Sequence, residues 1–389
     1  MLCAKCKGRL LCGRIKCPLL EKFRFLKSIE IKEGEVNKPT PPSVFIGRIG
    51  YPKVYVGPMI SVFEENPEFL DSPWLWHGEV SDIIKLRMNL IRGKKEINVN
   101  SVENKFIENL QEIAASVKHV SLELELEKLH KKPTFDDVLQ PIGLSADLGK
   151  IIIAENPKIP KKVEKIWNDD ITAAEGMKIL HNSRYMSYYI QKILSVGLLG
   201  KRKHRKLVPT RWSITAVHSI LGEELKKDLY DAKSVNEFFV FKYEHFGNKF
   251  TVFIFPGRYN FKLIEIWREN SFWSPTKTWI GWDEEHLRRK KKYSKLGGGY
   301  YAARFPILEY LNKMKKVGNV IVIREITPEY YAPIGVWVVE EGVRRALQNP
   351  KKLSSKDEIM KTVKRCTDEK TYRSIKIKQL AFSDLQSAL

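Results

Sequence analysis

Residues 238–267 read FFVFKYEHFGNKFTVFIFPGRYNFKLIEIW, and this stretch decides the fold class of the chain. Three segments within it, at 238–243, 250–255 and 261–267, are rich in aromatic and β-branched residues, which favour strands. Gly247 and Asn248 lie between the first two segments and are typical of the tight turn of a β-hairpin. The stretch therefore predicts antiparallel strands that follow one another without an intervening helix.

Helical and strand patterns continue on both sides of this stretch. We expect helices at 82–92, 101–130, 172–198, 215–231, 302–316 and 340–347. Further strands are predicted at 43–58, around a Gly–Tyr–Pro turn, and at 320–326 and 334–339. Because strands and helices do not alternate regularly, the predicted fold class is α+β with a mixed helix and antiparallel-sheet body, not a doubly wound sheet.

The composition divides the chain into four regions. Residues 1–20 carry four cysteines, and a proline-rich segment follows before an α+β region at 43–155. The segment NPKIP marks a boundary, after which a second α+β region covers 160–349. Residues 350–389 are polar and basic, and we expect a flexible C-terminal tail that contains a helix.

The chain is strongly basic. Its 68 Lys and Arg residues exceed its 46 Asp and Glu residues, which gives a formal net charge of +22. Such a charge indicates polyanionic partners, nucleic acid before an anionic membrane surface. No segment approaches the roughly 18 to 20 apolar residues of a membrane helix, and the first residues lack the apolar segment of a signal peptide. We therefore expect a cytoplasmic protein without a membrane partner.

Four clustered cysteines predict a zinc knuckle at the start of the chain. The ligands would be Cys3, Cys6, Cys12 and Cys17. In a reducing cytosol clustered thiols indicate a metal, and four thiolates form a closed structural site for one Zn²⁺. An iron–sulfur cluster uses the same ligands and stays an alternative, as do free thiols. Arg9 and Lys16 lie among the ligands, where they either contact phosphates or offset the negative charge of the zinc tetrathiolate.

Two basic clusters, KRKHRK at 201–206 and RRKKK at 288–292, are candidates for phosphate contacts. Lysine and arginine give salt-dependent affinity for nucleic acid, and the nearby aromatic residues can stack on exposed bases. The alternative is that each cluster is a solvated charged loop. The predicted nucleic-acid-binding residues here are Lys201, Arg202, Lys203, Arg205, Arg211, Arg288, Arg289 and Lys290.

No catalytic signature occurs in the sequence: HExxH, GxSxG, a Walker motif and GxGxxG after a strand are all absent. Three glycines at 297–299 precede a predicted helix, and they form either an anion-binding turn or a simple flexible turn. A pocket lined by loop residues is the one candidate for catalysis. Its members would be Arg48, Tyr51, Lys53, Asp71 and His77.

The C-terminal residues Gln379, Phe382 and Leu385 recur at intervals of three. In a short helical turn Phe382 and Leu385 would project from one side. A tail with this pattern can order as it docks into a hydrophobic groove of a partner. The alternative is a fraying terminal helix.

Several motifs together give the chain a family resemblance. They are SVFIGRIGYPKVYVGP at 43–58, DSP at 71–73, LLGKR at 198–202, VPTRWSITAV at 208–217, GGYYAAR at 298–304, and the cysteine cluster. Over nearly its whole length the chain resembles the archaeal Nre-type DNA repair proteins.

The resemblance implies a role in DNA repair and an interaction with the sliding clamp PCNA. The clamp-binding peptide of the family maps onto Gln379, Phe382 and Leu385 of this chain. The usual peptide has two aromatic residues where this chain has Leu385 and Gln386. The resemblance carries no catalytic activity onto particular residues.

Three functions follow from these observations as hypotheses. The first is a DNA repair protein that binds DNA and is recruited to PCNA through its C-terminus. The second is a nucleic-acid-processing enzyme, either a nuclease or a nucleotide-dependent transferase. The third is a zinc protein associated with RNA or the ribosome.

Overall fold

The computed structural model describes residues 9–11, 13, 15–17, 20, 33–61, 67–130 and 143–366. Helices and mainly antiparallel sheets make up these residues, which confirms the α+β class. The chain divides into two compact units. The first comprises the described residues up to Leu221 together with Tyr331–Gly335, and the second comprises Gly222–Tyr330 and the described residues from Val336 onward. This division differs from the boundary that composition placed at 156–160.

A six-stranded sheet forms the centre of the first unit. Its strands are β1 Gly34–Thr40, β2 Val44–Ile46, β3 Lys53–Ser61, β4 Leu90–Asn98, β5 Val120–His130 and β6 Ser145–Ile153. Their order is β1-β5-β6-β4-β3-β2, and every neighbouring pair is antiparallel except β4 and β6. The predicted strands around the Gly–Tyr–Pro turn are confirmed as β2 and β3.

The first unit also contains helices. They are α1 Val80–Met88, α2 Lys105–Ala115, α3 Lys161–Asn168, α4 Ala173–Asn182 and α5 Ser187–Ser195, with the start of α6 Thr210–Lys227. Three predicted helices were placed with wrong bounds. The helix at 82–92 ends at Met88 and β4 follows it, and the helix at 172–198 is interrupted where Arg184 has a φ of 67°. The helix at 215–231 begins earlier, at Thr210.

The predicted helix at 101–130 is also partly wrong, because only Lys105–Ala115 is helical and β5 occupies the remainder. The sequence of β5, VSLELELEKLH, alternates apolar and charged residues with a period of two. Leu122, Leu124 and Leu126 are buried, whereas the glutamates between them are exposed. This period fits a strand with one face on the core and excludes an amphipathic helix.

A second six-stranded sheet organises the second unit. Its strands are β8 Phe238–His245, β9 Asn248–Phe255, β10 Asn260–Trp267, β11 Trp279–His286, β13 Asn319–Ile326 and β14 Lys351–Leu353, in the order β11-β10-β13-β9-β8-β14. The predicted hairpin is confirmed as β8 and β9, but its turn lies one residue earlier than the predicted Gly247 and Asn248, because Asn248 already pairs with His245. Phe246 and Gly247 form its two-residue turn with φ angles of 48° and 66°, the positive values that such a turn requires. Two short strands, β7 Lys233–Ser234 and β12 Lys316–Val317, pair separately.

Three helices complete the described part of the second unit: α7 Gly298–Met314, α8 Trp337–Ala346 and α9 Lys356–Cys366. The strand predicted at 334–339 is wrong, because α8 begins at Trp337. Residues 351–366, which composition assigned to the tail, form β14 and α9. Ile359 and Val363 of α9 are buried against the sheet, so these residues belong to the folded unit. Among the described helices, none combines the length and the apolar composition needed to traverse a bilayer.

A buried network of charges joins three elements of the second unit. Arg304 on α7 is fully buried, and its guanidinium donates to Glu285 of β11 at 2.8 Å and to Glu223 of α6 at 2.9 Å. The ammonium group of Lys226 lies 2.9 Å from Glu223 and 3.3 Å from Glu285, so two cations face two carboxylates. Burial alone would lower the pKa of Arg304. The neighbouring Glu285, Tyr259 and Glu223 outweigh this effect of burial, so the pKa of Arg304 is raised.

Candidate nucleic-acid interface

The turn between β2 and β3 lies against the start of α6. The backbone N–H of Ile46, the last residue of β2, donates to Thr210 Oγ1 at 2.9 Å. The turn itself is closed by a hydrogen bond from the Lys53 N–H to the Gly50 carbonyl at 3.0 Å. The first residues of α6 are thereby brought beside a turn that precedes them by about 160 positions in the sequence.

This arrangement pairs two exposed aromatic rings. The ring centroids of Tyr51 and Trp212 lie 5.3 Å apart at an interplanar angle of 47°. Tyr51 is 44% exposed and Trp212 is 48% exposed, so each ring keeps much of its surface open to solvent. Exposed aromatic faces at fixed positions provide a platform on which an unpaired base can stack.

Cationic residues flank the aromatic pair. Arg48 lies on the turn that carries Tyr51, Lys53 begins β3 directly after this turn, and Arg211 precedes Trp212; all three cations are exposed. Neither residues 47–53 nor residues 208–212 contain a carboxylate. We call these five residues, Arg48, Tyr51, Lys53, Arg211 and Trp212, the stacking surface. It combines three candidate pocket residues with a candidate nucleic-acid contact, a combination that the sequence did not predict.

The first basic cluster is a loop, residues 201–206, which we call the basic loop. Arg205 donates to three backbone carbonyls, those of Gly200, Trp167 and Asp169, at 2.8 to 3.0 Å. Arg202 donates to the Asn168 carbonyl at 2.6 Å. Both arginines therefore fasten the loop to the end of α3. Burial, reinforced by the charge of Arg202, lowers the pKa of Arg205.

The lysines of the basic loop, unlike Arg205, are open to solvent. Lys201, Lys203 and Lys206 are exposed. The loop itself contains no carboxylate, but the backbone N–H of Arg202 donates to Asp170 Oδ1 at 2.7 Å. Of the four residues predicted in this cluster, Arg205 has all three guanidinium nitrogens hydrogen-bonded to carbonyls, whereas Arg202 uses one of them and is itself exposed.

The second basic cluster lies in the second unit. Lys290 donates to Asp283 at 2.7 Å and to the Glu284 carbonyl at 2.9 Å, and its ammonium lies 5.4 Å from the centroid of the Tyr300 ring. It therefore neutralises a local carboxylate. Arg288 and Arg289 are exposed on the same segment.

The predicted loop pocket is divided between the two ends of β2. Arg48, Tyr51 and Lys53 follow β2, whereas Asp71 accepts a hydrogen bond from Ser43, which precedes β2. His77 is exposed and its Nδ1 lies 2.9 Å from the Leu75 carbonyl. The five residues therefore do not converge on one point.

Asp71 and its partner Arg87 lie near two further cationic side chains instead. Arg87 donates to Asp71 at 2.8 Å. Burial lowers the pKa of Arg92, and the positive charge of the nearby Arg87 lowers it further. The ammonium of Lys192 donates to the Pro42 carbonyl at 2.6 Å. Burial lowers the pKa of Lys192 to about 8, although Asp71 opposes this shift. The sequence analysis missed these cations, because no local motif links residues on α1, β4 and α5.

The N-terminal and C-terminal predictions fall mainly outside the described residues. Cys3, Cys6 and Cys12 lie outside them, as do Gln379, Phe382 and Leu385. Cys17 is half-buried and forms no disulfide, and Arg9 and Lys16 are exposed. Lys16 lies 3.8 Å from Glu79. Within the part of the chain that the structure describes, no group of three or more His, Cys, Asp or Glu residues is placed to hold a metal ion.

The fold and the interface define a basic α+β protein with an exposed aromatic surface. The family model described as Archaeal Nre, N-terminal matches residues 11–274, and the model described as Archaeal Nre, C-terminal matches residues 285–387. The chain belongs to the archaeal Nre family, and the resemblance predicted from its motifs is confirmed.

Three relatives extend this result. The chain is 50% identical to the DNA repair protein NreA of Archaeoglobus fulgidus over 384 residues, which cover 98% of this chain and 97% of the relative. It is 35% identical to the DNA repair protein NreB of the same organism, over 89% of this chain and 88% of the relative. It is 34% identical to the DNA repair protein NreA of Haloferax volcanii, over 85% of this chain and 82% of the relative. No solved structure gives a significant match.

Proposed function

We propose that this protein acts in DNA repair by binding DNA through the stacking surface and the basic loop. The observation that carries the proposal is the exposed Tyr51–Trp212 pair with three cations around it. An unpaired base stacks on the rings, while Arg48, Lys53 and Arg211 contact the neighbouring phosphates. The names of the three relatives as DNA repair proteins support the choice of DNA over other polyanions.

Salt dependence tests the electrostatic part of this proposal. Five phosphate contacts, from Arg48, Lys53, Arg211, Lys201 and Lys203, predict a slope of log K against log salt of about −3.5 on single strands. Fluorescence anisotropy with labelled single-stranded DNA, duplex DNA and RNA measures this slope. Binding that is absent at ~50 mM salt, or that does not respond to salt, would contradict the proposal. Preference for RNA would favour an RNA-associated protein instead.

Two triple variants that remove the same charge test whether the proposed contact residues determine the slope of log K against log salt. Lys201→Ala/Lys203→Ala/Arg211→Ala removes three proposed contacts and should flatten the slope by about two. Lys105→Ala/Lys118→Ala/Lys150→Ala removes the same charge from exposed positions elsewhere in the first unit. An equal change in both variants would mean that net charge alone, rather than this surface, determines binding.

The C-terminal peptide extends the proposal to a partner. We expect Gln379, Phe382 and Leu385 to dock into a groove of the sliding clamp PCNA, because apolar side chains at this spacing share one side of a short turn. Phe382→Ala should abolish capture of the full chain by immobilised PCNA, while Ser383→Ala should preserve it. Undiminished capture of Phe382→Ala would show that the contact lies elsewhere.

The four cysteines extend the proposal to a cofactor. Thiolates at Cys3, Cys6, Cys12 and Cys17 would hold one structural Zn²⁺, which stabilises a segment too short to own a core. Elemental analysis should find about one zinc per chain, and Cys6→Ser should lose it. Iron in place of zinc would establish the iron–sulfur alternative.

A further inference from the structure

A cleft with a volume of about 430 Å³ opens in the second unit. Its aromatic walls are Trp267, Trp273 and Trp279, its polar floor is Glu265, and Lys277 and Lys295 lie at its rim. This volume falls within the range of roughly 300 to 1,000 Å³ that is typical of small-molecule sites. We refer to it as the tryptophan cleft.

Two of the three tryptophans are held open to solvent. Trp267 ends β10 and is buried, whereas Trp273 and Trp279 are 49% and 45% exposed. Trp267 and Trp279 face each other across the β10–β11 pair, and Trp273 meets Trp267 at 69° with ring centroids 6.4 Å apart. Large aromatic side chains exposed around a concavity indicate a ligand surface, since burial elsewhere would stabilise the protein more.

The strand sequence fixes the position of the Trp279 ring. A Cβ atom on Gly281 would lie 2.0 Å from Cη2 of Trp279, so the ring lies directly on the backbone of Gly281. Any larger residue at position 281 would displace the ring. The wall of the cleft is therefore set before a ligand arrives.

The floor of the cleft presents a fixed carboxylate. Glu265 is buried and accepts hydrogen bonds from Arg324 at 2.7 Å and from Trp267 Nε1 at 3.3 Å. Arg324 also donates to Asn248 Oδ1 at 2.9 and 2.7 Å, which fixes its guanidinium. A carboxylate oxygen has more than one acceptor position, so Glu265 can still accept from N–H donors of a bound base.

The charges around the cleft select the ligand. An aromatic cage with a carboxylate also suits a quaternary ammonium cation. In this cleft, however, Arg324 already balances Glu265, and the rim carries two lysines that repel a cation. A ligand with a flat aromatic part and a negative part fits both the walls and the rim.

We propose that the tryptophan cleft binds a nucleotide. The base stacks on the tryptophan walls with its amino or ring N–H groups toward Glu265, and the phosphate lies at Lys277 and Lys295. The nucleotide is either free or one unit of a DNA strand. The cleft belongs to the second unit and the stacking surface to the first, so this site stands independently of the proposed function.

Calorimetric titration of the full chain with the four deoxynucleoside monophosphates tests the proposal. Trp273→Ala and Trp279→Ala remove exposed rings, so folding is spared, and each should weaken binding about ten-fold or more. Lys277→Ala should weaken binding of nucleotides but not of the corresponding nucleosides. Tyr230→Ala, which removes an exposed ring elsewhere in the same unit, should leave the affinity unchanged.

A second titration distinguishes the two sources of the nucleotide. A single-stranded oligonucleotide is titrated into Tyr51→Ala/Trp212→Ala, in which the stacking surface is disabled, with and without Trp273→Ala. If the oligonucleotide binds, this binding depends on Trp273 and the monophosphates do not bind, the cleft is assigned to a DNA strand. If the monophosphates bind, the cleft is assigned to free nucleotides. Failure of both ligands to bind, binding that ignores Trp273 and Trp279, or equal competition by inorganic phosphate would overturn the proposal.

Discussion

Replacing Arg304 by methionine is expected to lower the free energy of unfolding by about 3 to 5 kcal/mol. Arg304 is fully buried and supplies the shortest contacts to Glu285, whose side chain is itself almost completely buried. Methionine fills much of the same volume but leaves Glu285 with Lys226 as its remaining cationic partner, at 3.3 Å. A buried carboxylate that loses a partner retains its desolvation cost, and this cost dominates the expected loss.

Urea denaturation followed by circular dichroism measures the effect. Arg288→Met removes an exposed arginine of the same unit and should change stability by less than about 0.5 kcal/mol. Adding Glu285→Gln to Arg304→Met removes the buried carboxylate that has lost its guanidinium partner and should recover part of the loss, as expected for residues in direct contact. A loss below about 1 kcal/mol for Arg304→Met would show that water compensates the carboxylate.

This network gives the GGYYAAR motif a structural role. In GGYYAAR, Tyr300 and Arg304 are buried, and the backbone of Gly299 lies near Glu265 and Arg324. The motif therefore packs the start of α7 against β10 and β11, the two strands that carry the walls of the tryptophan cleft. Its charged residue acts in folding rather than in phosphate binding.

Local patterns predicted the parts of the fold that local chemistry determines. The β8–β9 hairpin and the β2–β3 turn follow from glycine-containing turns between apolar segments, and both are confirmed. The prediction of one helix at 101–130 was wrong over β5, because it extended the helical pattern of Lys105–Ala115 into the strand that follows. The alternating sequence VSLELELE favours a strand. The strand expected at 334–339 failed because a short apolar run does not distinguish a strand from a buried helix.

The candidate sites depended on contacts that no local pattern encodes. Tyr51 was a predicted pocket residue and Trp212 lies in one of the family motifs, but no local pattern predicts the ring contact, which the hydrogen bond between Ile46 and Thr210 accompanies. In the same way, Glu265 and Trp279 meet in one cleft because β10 pairs with β11. Charge density alone also does not show that Arg202 and Arg205 of the basic loop donate to backbone carbonyls.

Removing both rings of the stacking surface should weaken single-stranded DNA binding strongly and duplex binding little. Stacking of a base on an aromatic side chain contributes about 1 to 3 kcal/mol by alanine substitution. We expect Trp212→Ala and Tyr51→Ala each to lose an amount in this range, and the double variant to lose less than the sum, because the rings contact each other. Duplex DNA keeps its bases stacked internally, so its affinity rests on the cations that remain.

Anisotropy at one fixed salt concentration, with single-stranded and duplex DNA in parallel, measures this selectivity. Trp212→Phe keeps a ring at the same position and should retain most of the single-strand affinity, whereas Trp212→Ala should not. Both positions are about half exposed, so unfolding curves of the variants should match that of the unchanged protein. An equal loss of affinity for single strands and duplexes would contradict stacking. Such a loss would indicate a contact to the phosphate backbone, which single strands and duplexes share.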